Sequence, residues 1–162
     1  MLARHEEGRE MPAETAILLV DDHPDTLFAL ESVLAPLGRP VLRAHSGEEA
    51  LKCVLRGGVG LVLLDVVMPG TGGLEVAGYM RGVDRAQDIP VVLVTGLGRE
   101  RALAERARAL GAADLLTKPV DPWTLCTKAE YLLERYERVV ALREQVRELR
   151  AELELAAAAR EG

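Results

Sequence analysis

The segment LVLLDVVMPG, residues 61–70, decides the fold class of this chain. Four apolar residues lead directly into Asp65, and Pro69 and Gly70 then mark a loop. An apolar run without alternation is typical of a strand in a parallel sheet, because helices cover both faces of such a sheet. We therefore interpret residues 60–64 as a central strand that ends at a carboxylate.

Apolar runs before and after this segment predict four more strands. Residues 16–20, 89–94 and 113–116 are largely apolar, and residues 40–44 contain a proline and an arginine, which are typical of an edge strand. Apolar spacing and capping residues predict helices over residues 25–37, 46 to about 57, 74–81 and 99–110, and a fifth from residue 122 onward. Five βα units in succession predict an α/β fold with a doubly wound, five-stranded parallel sheet and an extended C-terminal helix.

The composition argues against several functional classes. The 162 residues carry a formal net charge of −6 and only 3% aromatic residues, so we expect no direct binding of nucleic acid. No apolar run reaches the roughly 18 to 20 residues that span a bilayer, so we expect no membrane insertion. Residues 1–14 are polar and predict a mobile tail without the apolar stretch of a signal peptide. With two cysteines, Cys53 and Cys126, which we expect to be reduced thiols, these features predict a cytoplasmic protein.

Polar residues end the central strands of the predicted sheet. Asp21 and Asp22 follow the first strand, Asp65 the third, Thr95 the fourth and Lys118 the fifth. Because the carboxyl ends of parallel strands meet at one edge of a sheet, we expect these side chains to share one crevice. Three neighbouring carboxylates repel one another, and Mg²⁺ relieves this repulsion because it prefers oxygen ligands. A carboxylate beside Mg²⁺ and an ammonium group is suited to forming an aspartyl phosphate, and Asp65 is the best-placed acceptor.

Four motifs in order carry a resemblance to a known family. ILLVDD (17–22), LVLLDVVMPG (61–70), VVLVTG (91–96) and GAADLLTKPVDP (111–122) resemble the motif set of two-component receiver domains, and the match covers about residues 14–128. The resemblance implies a response regulator with the flavodoxin-like strand order 2-1-3-4-5. It also implies phosphoryl transfer from a sensor histidine kinase that switches binding to a downstream effector, whose identity the sequence does not give. Such a domain catalyses only its own phosphorylation and dephosphorylation and does not act as an enzyme on an external substrate.

The same resemblance implies roles for individual residues. Asp65 is implied to be the phosphoacceptor, and Thr95 and Lys118 to contact the phosphoryl group. The implied direct Mg²⁺ ligands are Asp22, Asp65 and the Val67 carbonyl oxygen, with Asp21 acting through water. The Lys118–Pro119 peptide bond is often cis in this family.

Two positions depart from the family's pattern. Leu115 stands where the fifth strand usually carries a switch aromatic, so the usual coupling between Thr95 and an aromatic rotamer cannot operate. Gly72 stands where an aspartate is common, which should loosen that turn. His23 lies next to the aspartate pair and suggests a transition-metal site with His45. We instead interpret His23 as a solvent-facing loop residue, because no His-x-x-His or similar spacing supports the metal site.

The C-terminal helix carries an apolar heptad repeat that we call the seam. It consists of Val139, Leu142, Val146, Leu149 and Leu153. Valine at the a positions and leucine at the d positions favour a two-stranded parallel coiled coil, whereas three heptads are also short enough to remain a solvated single helix. We therefore predict a receiver domain over residues 15–136 and a homodimer-forming coiled-coil helix over residues 137–162.

The sequence leaves two other functions open and argues against two more. A degenerate receiver could act purely as a coiled-coil dimerisation scaffold, and the Leu115 departure keeps that alternative open. The chain could also be the receiver fragment of a larger kinase, phosphatase or cyclase, because the DPW segment at residues 121–123 resembles receivers tied to such modules. A phosphohydrolase of the haloacid-dehalogenase type needs a second aspartate where this chain has Val67. A flavodoxin-like flavin carrier is disfavoured by the dearth of aromatic residues and by the acidic crevice.

Overall fold

The structure is a computed structural model that describes residues 15–96 and 100–162. Its elements in chain order are β1 (Ala16–Val20), α1 (Pro24–Leu34), β2 (Val41–Ala44), α2 (Gly47–Arg56), β3 (Val59–Asp65), α3 (Gly73–Arg81), β4 (Val91–Thr95), α4 (Arg101–Ala109), β5 (Asp114–Thr117) and α5 (Pro122–Arg160). All strand pairs are parallel, and the strand order is β2-β1-β3-β4-β5. The predicted fold class and strand order are confirmed. The tail predicted for residues 1–14 lies outside the described residues.

The largest difference from the predicted boundaries is at the end of α1. This helix ends at Leu34, three residues before the prediction, because Ala35–Leu37 tighten into a 3-10 turn. Gly38 then adopts a left-handed conformation with φ of 66°, which reverses the chain toward β2. α4 begins at Arg101, and the predicted start at residue 99 lies outside the described residues.

The hydrophobic core lies on both faces of the sheet. Every residue of β1 and β3 is buried, which explains why these strands read as continuous apolar runs. One face packs against α2, α3 and α4, and the other packs against α1 and α5. β2 is more open, with Leu42 and Arg43 exposed, as expected of an edge strand.

The strand register brings the polar strand ends to one edge of the sheet. Asp65, the last residue of β3, pairs with Val94 of β4, and Thr95 pairs with Thr117 of β5. The backbone N–H of Lys118 donates to the Thr95 carbonyl at 2.8 Å, so Lys118 lies next to the last paired residues of β4 and β5. Because all the strands are parallel, their final residues converge on a single crevice.

The last helix, α5, continues well beyond the hydrophobic core of the domain. Its first turn is capped by the Asp121 carboxylate, which accepts a hydrogen bond from the Thr124 N–H at 2.8 Å. Leu125, Ala129 and Leu133 are its buried residues, whereas residues 140–162 are all exposed. The long C-terminal helix is therefore confirmed, and its pairing into a coiled coil stays a prediction. None of the described helices combines the length and apolar character needed to cross a membrane.

Candidate functional site

An ammonium group and two nearly buried carboxylates form the centre of the crevice. Lys118 Nζ lies 3.1 Å from Asp21 Oδ2 and 3.4 Å from Asp65 Oδ2. Asp21 is 1% exposed and Asp65 is 5% exposed, while about a third of the lysine side chain reaches solvent. Lys118 therefore pairs with both carboxylates, although Asp21 lies 97 positions and Asp65 53 positions before it in the chain.

The environments of the two carboxylates push their pKa values in opposite directions. Burial raises the pKa of Asp65 above its ordinary value, and the negative charge of Asp21 raises it further, against the opposing effect of Lys118. Burial also acts on Asp21, but hydrogen bonds from the His23 N–H and Lys118 outweigh it and lower the pKa of that carboxyl. Burial acts to lower the pKa of Lys118, yet its contacts with Asp21 and Asp65 raise it overall. Asp65 is thus the more basic of the two carboxylates, as suits a nucleophile.

Asp21, Asp22, His23 and Asp65 form a cluster in which one ligand atom of each lies within 4.8 Å of the others. The Asp22 Oδ1 atom is shielded from solvent and has no hydrogen-bond partner among the described residues. The His23 Nδ1 atom lies 3.1 Å from it, without hydrogen-bonding geometry. The Asp22 oxygen, which accepts no hydrogen bond from any described residue and lies beside two further carboxylates, is suited to bind a hard divalent cation, because Mg²⁺ takes oxygen ligands and retains several waters. The residues present therefore fit the predicted Mg²⁺ site.

The remaining predicted site residues lie around this cluster. Val67 donates its N–H to Asp65 Oδ1 at 3.3 Å, and its carbonyl stays a predicted ligand. Thr95 is fully buried at the end of β4. Leu115 is buried on β5 in the same cluster as Ala107 of α4, so no aromatic ring occupies the switch position. The Lys118–Pro119 bond is cis, as the resemblance predicted.

The sequence predicts that His23 faces solvent. In the structure its side chain is largely exposed but also lies beside the Asp21 carboxylate. The imidazole is 70% exposed, but its Nδ1 lies 3.2 Å from Asp21 Oδ1, and its backbone N–H donates to the same oxygen at 2.9 Å. His45 does not belong to the described cluster; its N–H donates to the Glu49 carboxylate at the start of α2. His23 and His45 therefore share no cluster of possible metal ligands in the described part of the chain, in line with the interpretation of His23 as a loop residue. Proximity to the aspartate pair was the only sequence signal for His23.

Two glycines lie at the start of α3, in the loop that follows Asp65. Gly72 is the N-cap residue of α3 and provides no side-chain cap, which agrees with its departure from the family's aspartate. A Cβ on Gly73 would stand 2.2 Å from the Asp65 carbonyl oxygen. Only glycine therefore lets α3 start this close to β3.

Gly73→Ala is accordingly expected to destabilise the protein by about 2 kcal/mol, because the methyl group displaces the Asp65 backbone. Chemical denaturation measures this loss. Gly78→Ala is the matched control on the same helix, since its Cβ would meet only the flexible Leu110 side chain at 3.4 Å. This control should be neutral or slightly stabilising, and an equal loss in both variants would contradict the close-approach argument.

The chain is similar to one family of known proteins over most of its length. The sequence matches the response regulator receiver domain family over residues 17–130. It is similar to protein PilH of Pseudomonas aeruginosa, with 36% identity over 109 residues, 67% of this chain and 89% of that protein. It is also similar to the regulatory protein VanR of Enterococcus faecium, with 30% identity over 80% of this chain and 54% of VanR.

Similar solved structures have the same fold. The chemotaxis protein CheY4 of Vibrio cholerae superimposes with a TM-score of 0.69 and 26% identity, covering 74% of this chain and 99% of CheY4. A putative response regulator from Chloroflexus aurantiacus gives a TM-score of 0.68 and 32% identity, covering 75% of this chain and 98% of that one.

Proposed function

Because this chain belongs to the response regulator receiver domain family, we propose that Asp65 is its phosphoacceptor and that a sensor histidine kinase is the phosphoryl donor. The observation that carries the proposal is the contact of Lys118 Nζ with both Asp21 and Asp65, beside the unpartnered oxygen of Asp22. Incubation with acetyl phosphate and Mg²⁺, followed by intact mass measurement, tests it.

Each group around Asp65 has a distinct task in this reaction. An Asp65 carboxylate oxygen attacks the phosphorus atom, and the P–N bond to the donor imidazole breaks. The Val67 N–H and Lys118 Nζ hold the two Asp65 oxygens, so the carboxylate is oriented before the donor arrives. Lys118 can then pair with the phosphoryl group, and Thr95 can donate a hydrogen bond to it. Mg²⁺, when held by Asp22, Asp65 and the Val67 carbonyl with Asp21 nearby, supplies positive charge to the phosphoryl oxygens.

Phosphorylation of Asp65 changes the binding properties of the protein itself and does not produce a metabolite. A phosphoryl group adds close to two negative charges at neutral pH, and in this crevice they compete with Asp21 for the Lys118 ammonium group. We assign the resulting change to binding of an effector protein in the cytoplasm.

A second candidate function is self-association through α5. Four seam residues, Leu142, Val146, Leu149 and Leu153, are between 48% and 69% exposed, although they are large and apolar. Apolar residues repeated along one helix face are typical of a helix that packs against another helix. The chain would then be a homodimer whether or not Asp65 is phosphorylated.

Lys118→Ala is expected to lower the melting temperature by about 5 °C in Mg²⁺-free buffer, which corresponds to roughly 2 kcal/mol. The cause is that Asp21 and Asp65 lose the ammonium group that pairs with both of them and then repel each other. Added Mg²⁺ should restore most of this loss. The double variant Lys118→Ala/Asp65→Asn should melt at a higher temperature than Lys118→Ala in calorimetry, because only one of the two repelling carboxylates remains. Equal stability of Lys118→Ala and wild type without Mg²⁺ would disprove the neutralising role.

A further inference from the structure

Two ion pairs fasten α5 to the receiver beyond the end of its core packing. Glu137 lies one turn after Leu133, and its carboxylate pairs with the Arg39 guanidinium at 2.6 and 3.0 Å. Asp88, in the loop between α3 and β4, pairs with Arg143 almost two turns further along the helix. The hydrogen bond from Arg143 also lowers the pKa of the Asp88 carboxyl. The first part of the extension is therefore attached to the receiver on two sides.

These ion pairs and the seam lie on different sides of α5. At about 100° per residue, Leu133 and Glu137 lie roughly 150° or more from the centre of the exposed seam residues, whereas Arg143 lies only about 90° from it. The contacts that hold the helix thus turn the seam away from the receiver. Val139, the first seam residue, is half-buried beside Asp88 and Pro90 of the receiver. The other four seam residues are exposed, so a second helix can approach them.

Arg143 stands at the flank of the seam, where an arginine of a second copy would approach it. In a parallel coiled coil, Arg138 occupies a g position and faces Arg143 of the partner subunit at an e position. In an antiparallel pair with the same seam overlap, Arg143 instead faces Arg150 of the partner subunit. Like charges at these flanking positions oppose pairing. A carboxylate close to Arg143 reduces this repulsion in either alignment.

We propose that the seam binds a second copy of this chain in parallel, and that Asp88 permits this pairing by neutralising Arg143 of its own chain. The inference rests on the self-association proposed above. Valine at the first two a positions and leucine at the first two d positions favour the parallel two-stranded arrangement. Packing of the first turns of α5 on the sheet already nucleates the helix, so three heptads suffice where an isolated peptide would be marginal.

This role is separate from the phosphoacceptor site. Asp88 precedes β4, so it lies at the amino-terminal edge of the sheet, whereas Asp65 and Lys118 lie at the carboxyl-terminal edge. Substitutions at Asp88 can therefore be tested in the unphosphorylated full chain. Phosphate incorporation at Asp65, measured separately by mass, should be unchanged in the same variants.

Sedimentation equilibrium of the full chain tests the role of Asp88. Asp88→Asn is expected to weaken the dimer about fivefold, since two repelling pairs per dimer lose their carboxylate. The matched control is Asp84→Asn, because Asp84 is an exposed acid of the same loop with no ion pair among the described residues. It should leave the dimer unchanged, and thermal melting confirms that both variants fold. An unchanged dimer in Asp88→Asn would overturn the role of Asp88 while leaving self-association intact.

Two charge reversals test the parallel orientation in the Asp88→Asn background. Arg138→Glu should restore dimer affinity, because the new carboxylate faces Arg143 of the partner subunit. Arg150→Glu should not restore it, because that position faces a glutamine in the parallel pair. Rescue by Arg150→Glu instead of Arg138→Glu would overturn the parallel arrangement. A wild-type chain that is monomeric at micromolar concentrations would overturn self-association itself.

Discussion

Asp65→Asn is expected to abolish the gain of one phosphoryl group that the wild-type chain shows with acetyl phosphate and Mg²⁺. The asparagine amide keeps the size and hydrogen-bonding shape of the aspartate but supplies no nucleophilic carboxylate oxygen. Because Asp65 is buried next to Asp21, removing its charge also relieves a repulsion, so the variant should fold at least as well as wild type. Intact mass spectrometry measures the result, and the wild-type adduct should be stable in acid and labile in base.

The control for this experiment is another aspartate outside the crevice. Asp114 is half-buried on β5 and pairs with Lys128 of α5, so Asp114→Asn should gain the phosphoryl group as wild type does. Omission of Mg²⁺ should suppress the reaction in both proteins. A phosphorylated Asp65→Asn chain would show that another residue is the acceptor and would refute the site.

The site could be predicted because it depends on where strands end. The apolar runs before Asp21, Asp65 and Thr95 fix the last residue of three parallel strands, and the sheet then brings those residues to one edge. Burial of the whole of β3 explains why its sequence is a continuous apolar run ending at Asp65. The contact between Lys118 and the two carboxylates follows from the same logic, although its distances could not be read from the sequence.

The contacts of α5 could not be predicted in this way. Arg143 pairs with Asp88 across 55 positions, and Arg39 pairs with Glu137 across 98 positions. Charged residues are frequent on this surface, so the sequence offers many equivalent partners for each arginine. Their pairing depends on the angle at which α5 leaves the sheet, which the packing of Leu125 and Leu133 determines. The contacts of His23 likewise depend on the conformation of a short loop.

Leu149→Glu is expected to convert the dimer to a monomer at micromolar concentrations. The substitution places two carboxylates opposite each other in a dry layer and removes two leucines from the interface. We expect a loss of at least about a hundredfold in dimer affinity, or roughly 3 kcal/mol. The matched control is Leu155→Glu, since Leu155 is 72% exposed but lies on the other side of α5 from the seam. Light scattering coupled to size exclusion should find the control dimeric.

A chain that ends at Arg138 should be monomeric as well. It lacks the whole seam but retains every buried residue of α5, so the receiver should remain folded. Dimerisation of this shortened chain to the same extent as the full chain would contradict the seam as the interface. It would point instead to a face of the receiver.

Phosphorylation of Asp65 is expected to change the affinity of this dimer by less than about tenfold, within the usual range of coupling between two sites. The seam lies wholly outside the crevice, so the helices can pair whether or not the phosphoryl group is present. Leu115 provides no aromatic ring that could rotate between buried and exposed positions, and the leucine itself is buried beside Ala107. The outer face of α4 and β5 therefore lacks the usual route from Thr95. Light scattering of the full chain with acetyl phosphate and Mg²⁺ measures the change, and a phosphate-dependent switch from monomer to dimer would show that another route couples the crevice to the interface.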